Sequence, residues 1–224
     1  MAIHLQRDLE KLKKDILLLG TMVEEATNRS VLALMDRRSD LAREIQQGDK
    51  EIDVREIRIE EDCLKILALH QPVANDLRFV VTVMKVNNDL ERVGDLAGNL
   101  AGRAIFLADQ PPVDIPDGIR ELAESVPKML RESLDALIQQ DTDLARQILA
   151  DDEQVDQVHK DLYSHLEGRM QEDHDQIPKL IQLLSVSRYL ERIADLATNI
   201  AEDVVFLVDG DVVRHRSWDV QRNG

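Results

Sequence analysis

Leu90–Ala101 reads LERVGDLAGNLA, and Leu190–Ala201 reads LERIADLATNIA; the two stretches lie 100 residues apart and agree at 8 of 12 positions. Upstream, Asp40–Asp53 (DLAREIQQGDKEID) pairs with Asp143–Asp156 (DLARQILADDEQVD) at an offset of 103, with 7 of 14 positions identical. Two matches in the same order at nearly one offset mean that a unit of about a hundred residues is duplicated, which is too long a period for a short solenoid repeat. Gln110–Gly118 (QPPVDIPDG) holds three prolines and a glycine and cannot continue a helix. It therefore separates a first unit, 1–110, from a second, 117–224, whose polar tail from Gly210 onward carries the single tryptophan, Trp218.

Within each unit apolar residues recur at three- and four-residue intervals, as in Leu9, Leu12, Ile16 and Leu19, or Leu77, Val80, Val81 and Met84. Strict alternation is absent. The pattern predicts helices over 4–37, 40–69, 73–108, 117–140, 142–172 and 175–208. Ser39 or Asp40 is the expected cap of the second, Asp175 that of the last, and Pro127 starts or kinks the fourth. Short connections make consecutive helices antiparallel neighbours, so the expected fold is all-α: two tandem three-helix bundles related by internal duplication.

Composition narrows the function. The 224 residues are 43% hydrophobic, 32% charged and 3% aromatic, so aliphatic side chains fill the core. A formal net charge of −16 without a basic stripe repels a phosphate backbone and excludes nucleic-acid binding. The apolar runs Ile16–Leu19 and Val204–Val208 are too short to span a bilayer. No signal-peptide core follows Met1–Lys14, and Cys63 is the only cysteine. These features read as a cytoplasmic chain without membrane insertion, with Cys63 in the core.

The two copies also serve as an alignment of two. Asp76–Asp89 and Gln176–Tyr189 keep a single identity, Val86 with Val186, whereas Glu91/Glu191, Arg92/Arg192, Asp95/Asp195 and Asn99/Asn199 match. Packing requires volume, not the same polar atoms twice. Glu91, Asp95 and Asn99 are spaced i, i+4, i+8 and share a helix face; Asp49 with Asp53, and Asp152 with Asp156, repeat the four-residue spacing on the preceding helix. Asp53 with Glu91, and Asp49 with Asp95, are centred on position 72 in the turn. Asp156 with Glu191, and Asp152 with Asp195, are centred on 173.5 in the other turn. Residues equidistant from an antiparallel turn lie at one height, so each unit brings four carboxylates to one level. Such a cluster needs compensation: from Arg92 and Arg192 as a salt-bridge network, from water, or from a cation. Oxygen ligands suit Mg²⁺, Mn²⁺, Ca²⁺ or iron. The candidate metal ligands are Asp49, Asp53, Glu91 and Asp95 in the first unit and Asp152, Asp156, Glu191 and Asp195 in the second. His159, three residues after Asp156 where the first unit has Glu56, is a further nitrogen donor or a surface side chain.

The stretch QPVANDLR at 71–78, followed by LERVGDLAGN and later LERIADLATN, resembles the PhoU family over essentially the whole chain. The resemblance implies six helices in two three-helix bundles and metal sites on the acidic motifs. It also implies a cytoplasmic, non-catalytic negative regulator of the phosphate response. Such a protein works with the phosphate ABC transporter ATPase and a sensor histidine kinase, commonly as a homodimer. The second unit departs from the pattern, with HDQIP at 174–178 where the first has ANDLR, so the halves bind unequally or bind different things. A metal-dependent bundle enzyme, of phosphohydrolase or oxidase type, and a metal-independent acidic adaptor are the alternatives. No E-x-x-H, Walker A or G-x-S-x-G motif supports catalysis.

Overall fold

The computed structural model describes residues 2–210; the expectation for the tail with Trp218 lies outside them. Six helices follow one another: α1 (Ala2–Met35), α2 (Ser39–His70), α3 (Ala74–Ala108), α4 (Asp117–Gln139), α5 (Thr142–Glu172) and α6 (Ile177–Asp209). The all-helical reading holds, and the differences sit at the helix ends. α1 stops two residues early because Arg37 takes a left-handed conformation (φ 55°). From there its guanidinium donates to the carbonyls of Ala108 (3.0 Å) and Gln110 (2.6 Å), tying the first turn to the end of α3.

Neither Ser39 nor Asp40 caps α2. Both lie inside the helix, where the Ser39 hydroxyl accepts from Arg43 and Asp40 pairs with Arg38. Before α6 the cap is Asp173, not Asp175: its carboxylate accepts from the backbone N–H of Asp175 (3.0 Å) and opens a single 3₁₀ turn, His174–Gln176, that leads into the helix. Asp141 caps α5, accepting from the N–H groups of Asp143 and Leu144. Pro127 is buried inside α4 and does not start it.

α1, α2 and α3 pack on one another, as do α4, α5 and α6. α3 also runs along α6 as extensively as along its neighbours within the unit, and one continuous apolar cluster threads both units. The reason is visible in the sequence pattern. α3 is buried at Val80, Val83, Val86, Leu90, Val93 and Leu100, and α6 at the equivalent Leu180, Leu183, Val186, Leu190, Ile193 and Ile200. α3 faces three neighbours, α1, α2 and α6, and a stripe that wide exceeds what the two partners inside a three-helix unit cover. α2 and α5 bury narrower stripes and form the outer walls. Polar contacts cross the seam as well: Lys85 Nζ meets the buried Asp203 carboxylate at 2.8 Å and lies 4.7 Å from the Phe206 ring centroid. Arg103 donates to the Gln182 side chain at 2.8 Å.

Candidate metal centre

The helix hairpins set the level of every candidate ligand. α2 ends at Gln71 in a left-handed C-cap, and α3 begins three residues later. Gln46 Nε2 donates to the Gly98 carbonyl (3.4 Å), and the Asn87 amide donates to Glu56 Oε1 (2.9 Å) and to the Glu56 carbonyl (3.0 Å). Both pairs are centred on or beside position 72, the register required to level Asp49 with Asp95. α2 approaches closely because α3 offers glycine there: a Cβ on Gly94 would lie 3.2 Å from Ile52 and 3.9 Å from Asp49 Oδ1, and one on Gly98 would lie 3.9 Å from Asp49 Oδ2. In the second unit, His159 Nδ1 and the Ser187 hydroxyl are 2.6 Å apart, at the positions equivalent to Glu56 and Asn87.

The carboxylates have almost no compensation from protein groups. Among the described residues none of the eight accepts a hydrogen bond, and the one ion pair is Asp156 with Lys160 at 3.9 Å. Arg92 turns to Asp89 (3.5 Å) on its own helix, and neither it nor Arg192 contacts a cluster carboxylate within 4.0 Å. Burial, then Asp95 and Asp53, raises the Asp49 pKa. Burial, then Asp95 and Glu56, raises that of Glu91. In the second unit burial raises Asp152 to about 6, with Asp195, Asp156 and Glu191 adding to it. Glu191 and Asp195 are also raised, by burial first and then by neighbouring carboxylates, with Arg192 opposing in both. Burial lowers the pKa of His159.

The two clusters are built alike but gathered differently. Asp156, Glu191 and Asp195 each place a carboxylate oxygen so that the three lie within 4.8 Å of one another. Asp152 adjoins them, its Oδ1 buried without a partner. Among the described residues no such trio forms in the first unit, where Asp49, Asp53, Glu91 and Asp95 interact through their charges at longer range. An orphaned buried carboxylate oxygen beside three convergent ones fits a hard cation, since the convergent donors are all carboxylate oxygens and His159, turned to Ser187, is not among them. Asn87 and Ser187 are the residues that sequence reasoning passed over. The same centring on each turn marks them, one helical turn above the carboxylates. Cys63 is buried in α2 and its thiol is pushed up to about 12, chiefly by burial, so it is a core side chain and not a ligand.

A family model described as the PhoU domain matches the chain twice, at residues 16–104 and 119–204. The phosphate-specific transport system accessory protein PhoU homolog of Aquifex aeolicus is 38% identical over 214 residues, covering 96% of this chain and 97% of that protein. The crystal structure of PhoU from Pseudomonas aeruginosa superposes with a TM-score of 0.88 at 38% identity, covering 92% of this chain and 99% of that one. The phosphate transport system regulatory protein PhoU from Streptococcus pneumoniae gives a TM-score of 0.85 at 32% identity, covering 93% and 99%.

Proposed function

The chain belongs to the PhoU family of phosphate transport accessory and regulatory proteins, and we propose that it is a non-catalytic negative regulator of phosphate uptake and of the phosphate-starvation response, controlled by cations bound at its two carboxylate clusters. Asp152, Asp156, Glu191 and Asp195 hold one cation centre; Asp49, Asp53, Glu91 and Asp95 hold the other. The bound ion, Mg²⁺, Mn²⁺, Ca²⁺ or iron, supplies positive charge that the protein does not supply itself. The observation that carries this reading is the orphaned, buried Oδ1 of Asp152 beside three carboxylates whose oxygens converge within 4.8 Å. Left bare, such a group is disfavoured in its charged form.

Neutralised patches on the outer hairpin of each unit form the docking surface for partners of the phosphate transport system: the transporter ATPase and the sensor histidine kinase. The regulator works in the cytoplasm as a homodimer. No described helix is long and apolar enough to cross a membrane.

The test compares the parent with a variant carrying Glu91→Ala, Asp95→Ala, Glu191→Ala and Asp195→Ala. Elemental analysis of gently purified protein reads metal content, and pull-down with the transporter ATPase and the kinase reads docking. Metal and docking lost together in a still-helical variant support the reading. Normal docking and regulation without metal move the function to a metal-independent acidic adaptor. Phosphate-ester turnover by the loaded parent moves it to a phosphohydrolase.

A further inference from the structure

Among the described residues, four side chains retained in both copies make no direct contact with the cluster carboxylates: Arg92, Asn99, Arg192 and Asn199. They meet at the seam. Where α3 runs along α6, the equivalent residues of the two units line one cleft of about 470 Å³, with Asp95 and Asp195 in its walls. Each unit contributes one guanidinium and one carboxamide, so the cleft repeats the duplication across its own middle. Among the described residues neither asparagine side chain makes a hydrogen bond and Arg192 makes no ion pair, while Arg92 has only the 3.5 Å contact with Asp89. The donors are therefore available, and there are more of them than the cleft's own acceptors take up.

Charge decides what they accept. With bare carboxylates the two arginines and two aspartates cancel. Asp95 and Asp195, however, belong to the proposed cation centres, and a divalent cation on each offsets two carboxylate charges there, which shifts the balance of the cleft towards its two guanidinium groups. A planar guanidinium offers a fork of N–H groups that matches the oxygens of a phosphate, and neutral amide donors complete the shell. Water occupies ~30 Å³ per molecule, so the cleft has room for a single tetrahedral group with its hydration or for a short phosphoanhydride.

We propose that the cleft between α3 and α6 binds a phosphate-class oxyanion through Arg92, Arg192, Asn99 and Asn199 when cations fill the flanking carboxylate centres. This rests on the cation reading above, and it makes the seam between the units a sensor of anion and cation together.

The experiment is equilibrium dialysis of orthophosphate and of pyrophosphate against three samples: protein loaded with Mn²⁺ and freed of excess metal, the same protein after chelation, and a loaded Arg92→Gln/Arg192→Gln variant. Metal content and helicity are measured on every sample. Loaded parent binding either probe at about one per chain, with chelated protein at least tenfold weaker, is expected. The double variant, retaining its metal and its helices, should also bind at least tenfold more weakly, and Arg92→Lys/Arg192→Lys should recover part of the loss. Loaded parent that carries metal but binds neither probe overturns the anion site and leaves the cation centres standing. A double variant that binds like the parent also overturns it, because the anion then sits on the metal alone. Equal binding after chelation refutes the cation dependence. Parent protein that takes up none of Mn²⁺, Mg²⁺, Ca²⁺ or iron defeats both readings, and the metal assay reports that separately.

Discussion

Replacing Asp152 by Asn should stabilise the metal-free protein, an unusual outcome for a half-buried polar position. The Asp152 carboxyl rises from 3.8 to about 6 because burial, and then Asp195, Asp156 and Glu191, oppose its charge. Keeping it ionised across that difference corresponds to about 3 kcal/mol. Water reaches the cluster and screens part of this, leaving ~1–2 kcal/mol. A folded-state pKa above the unfolded value means that the folded protein binds the proton more tightly. The penalty is thus complete above pH 6 and fades as the pH falls towards 3.8. The amide carries no charge at any pH and keeps the volume.

Thermal melts followed by circular dichroism at pH 8 with chelator should place Asp152→Asn about 2–8 °C above the parent, at ~2–4 °C per kcal/mol for a chain of this size. By pH 4.5 most of the difference should be gone. Saturating Mn²⁺ should reverse the order, since a ligand at a hundred times its dissociation constant stabilises by ~2.7 kcal/mol and the amide binds it less well. A variant that melts no higher than the parent at pH 8 in chelator, or a gap that persists unchanged at pH 4.5, refutes the electrostatic account of the centre.

Three further outcomes are expected. Gly48 has nothing within 4 Å of an added Cβ, whereas one on Gly20 would lie 2.9 Å from Leu134 Cδ2. Gly48→Ala should therefore gain ~0.5–1 kcal/mol from the helix backbone, and Gly20→Ala should lose ~1–3 kcal/mol to overpacking; urea unfolding separates the two signs. Leu190 is fully buried in α6, and Leu190→Ala should cost ~3–5 kcal/mol in the same assay. Cys63, buried with its thiol pushed up to about 12, should resist a thiol reagent such as Ellman's in native protein and react in full once denaturant is added.

The six helices were legible because their apolar residues recur with helical period and proline-rich or capping segments interrupt them. The boundary errors are local. Periodicity does not reveal that Arg37 turns left-handed to reach the Ala108 and Gln110 carbonyls, nor that Asp173 starts a 3₁₀ turn ahead of α6. The level of the carboxylates was also legible, since distance from a turn fixes height in a hairpin; Gln46 with Gly98 shows that register in the first unit. Side-chain rotamers were not. The same spacing yields a convergent trio in the second unit and a looser group in the first. Arg92, an obvious counter-ion on paper, instead turns to Asp89. The seam was hidden for another reason. A wide apolar stripe on α3 reads equally well as deep burial within one bundle or as a further face for a helix of the other unit, and only the pairing with α6 decides.

That seam bears on why the halves have diverged without separating. α3 and α6 each carry part of one carboxylate cluster and half of the cleft, so neither unit possesses the cleft alone. One of the exchanges lies beside the carboxylate clusters. Where the first unit sets Glu56 against Asn87, the second sets His159 against Ser187. Glu56 lies within electrostatic reach of Glu91 and Asp53 and helps raise Glu91, which makes the first centre effectively a five-carboxylate site. His159, its pKa lowered by burial, leaves the second centre one negative charge poorer at neutral pH. On the proposed cation reading the more negative, looser cluster calls for more positive charge. On the same reading the tighter, less negative cluster calls for less. The sequence difference between HDQIP and ANDLR lies at the turns, far along each hairpin from the carboxylates, whereas the exchange of Glu for His lies beside them and changes their charge directly.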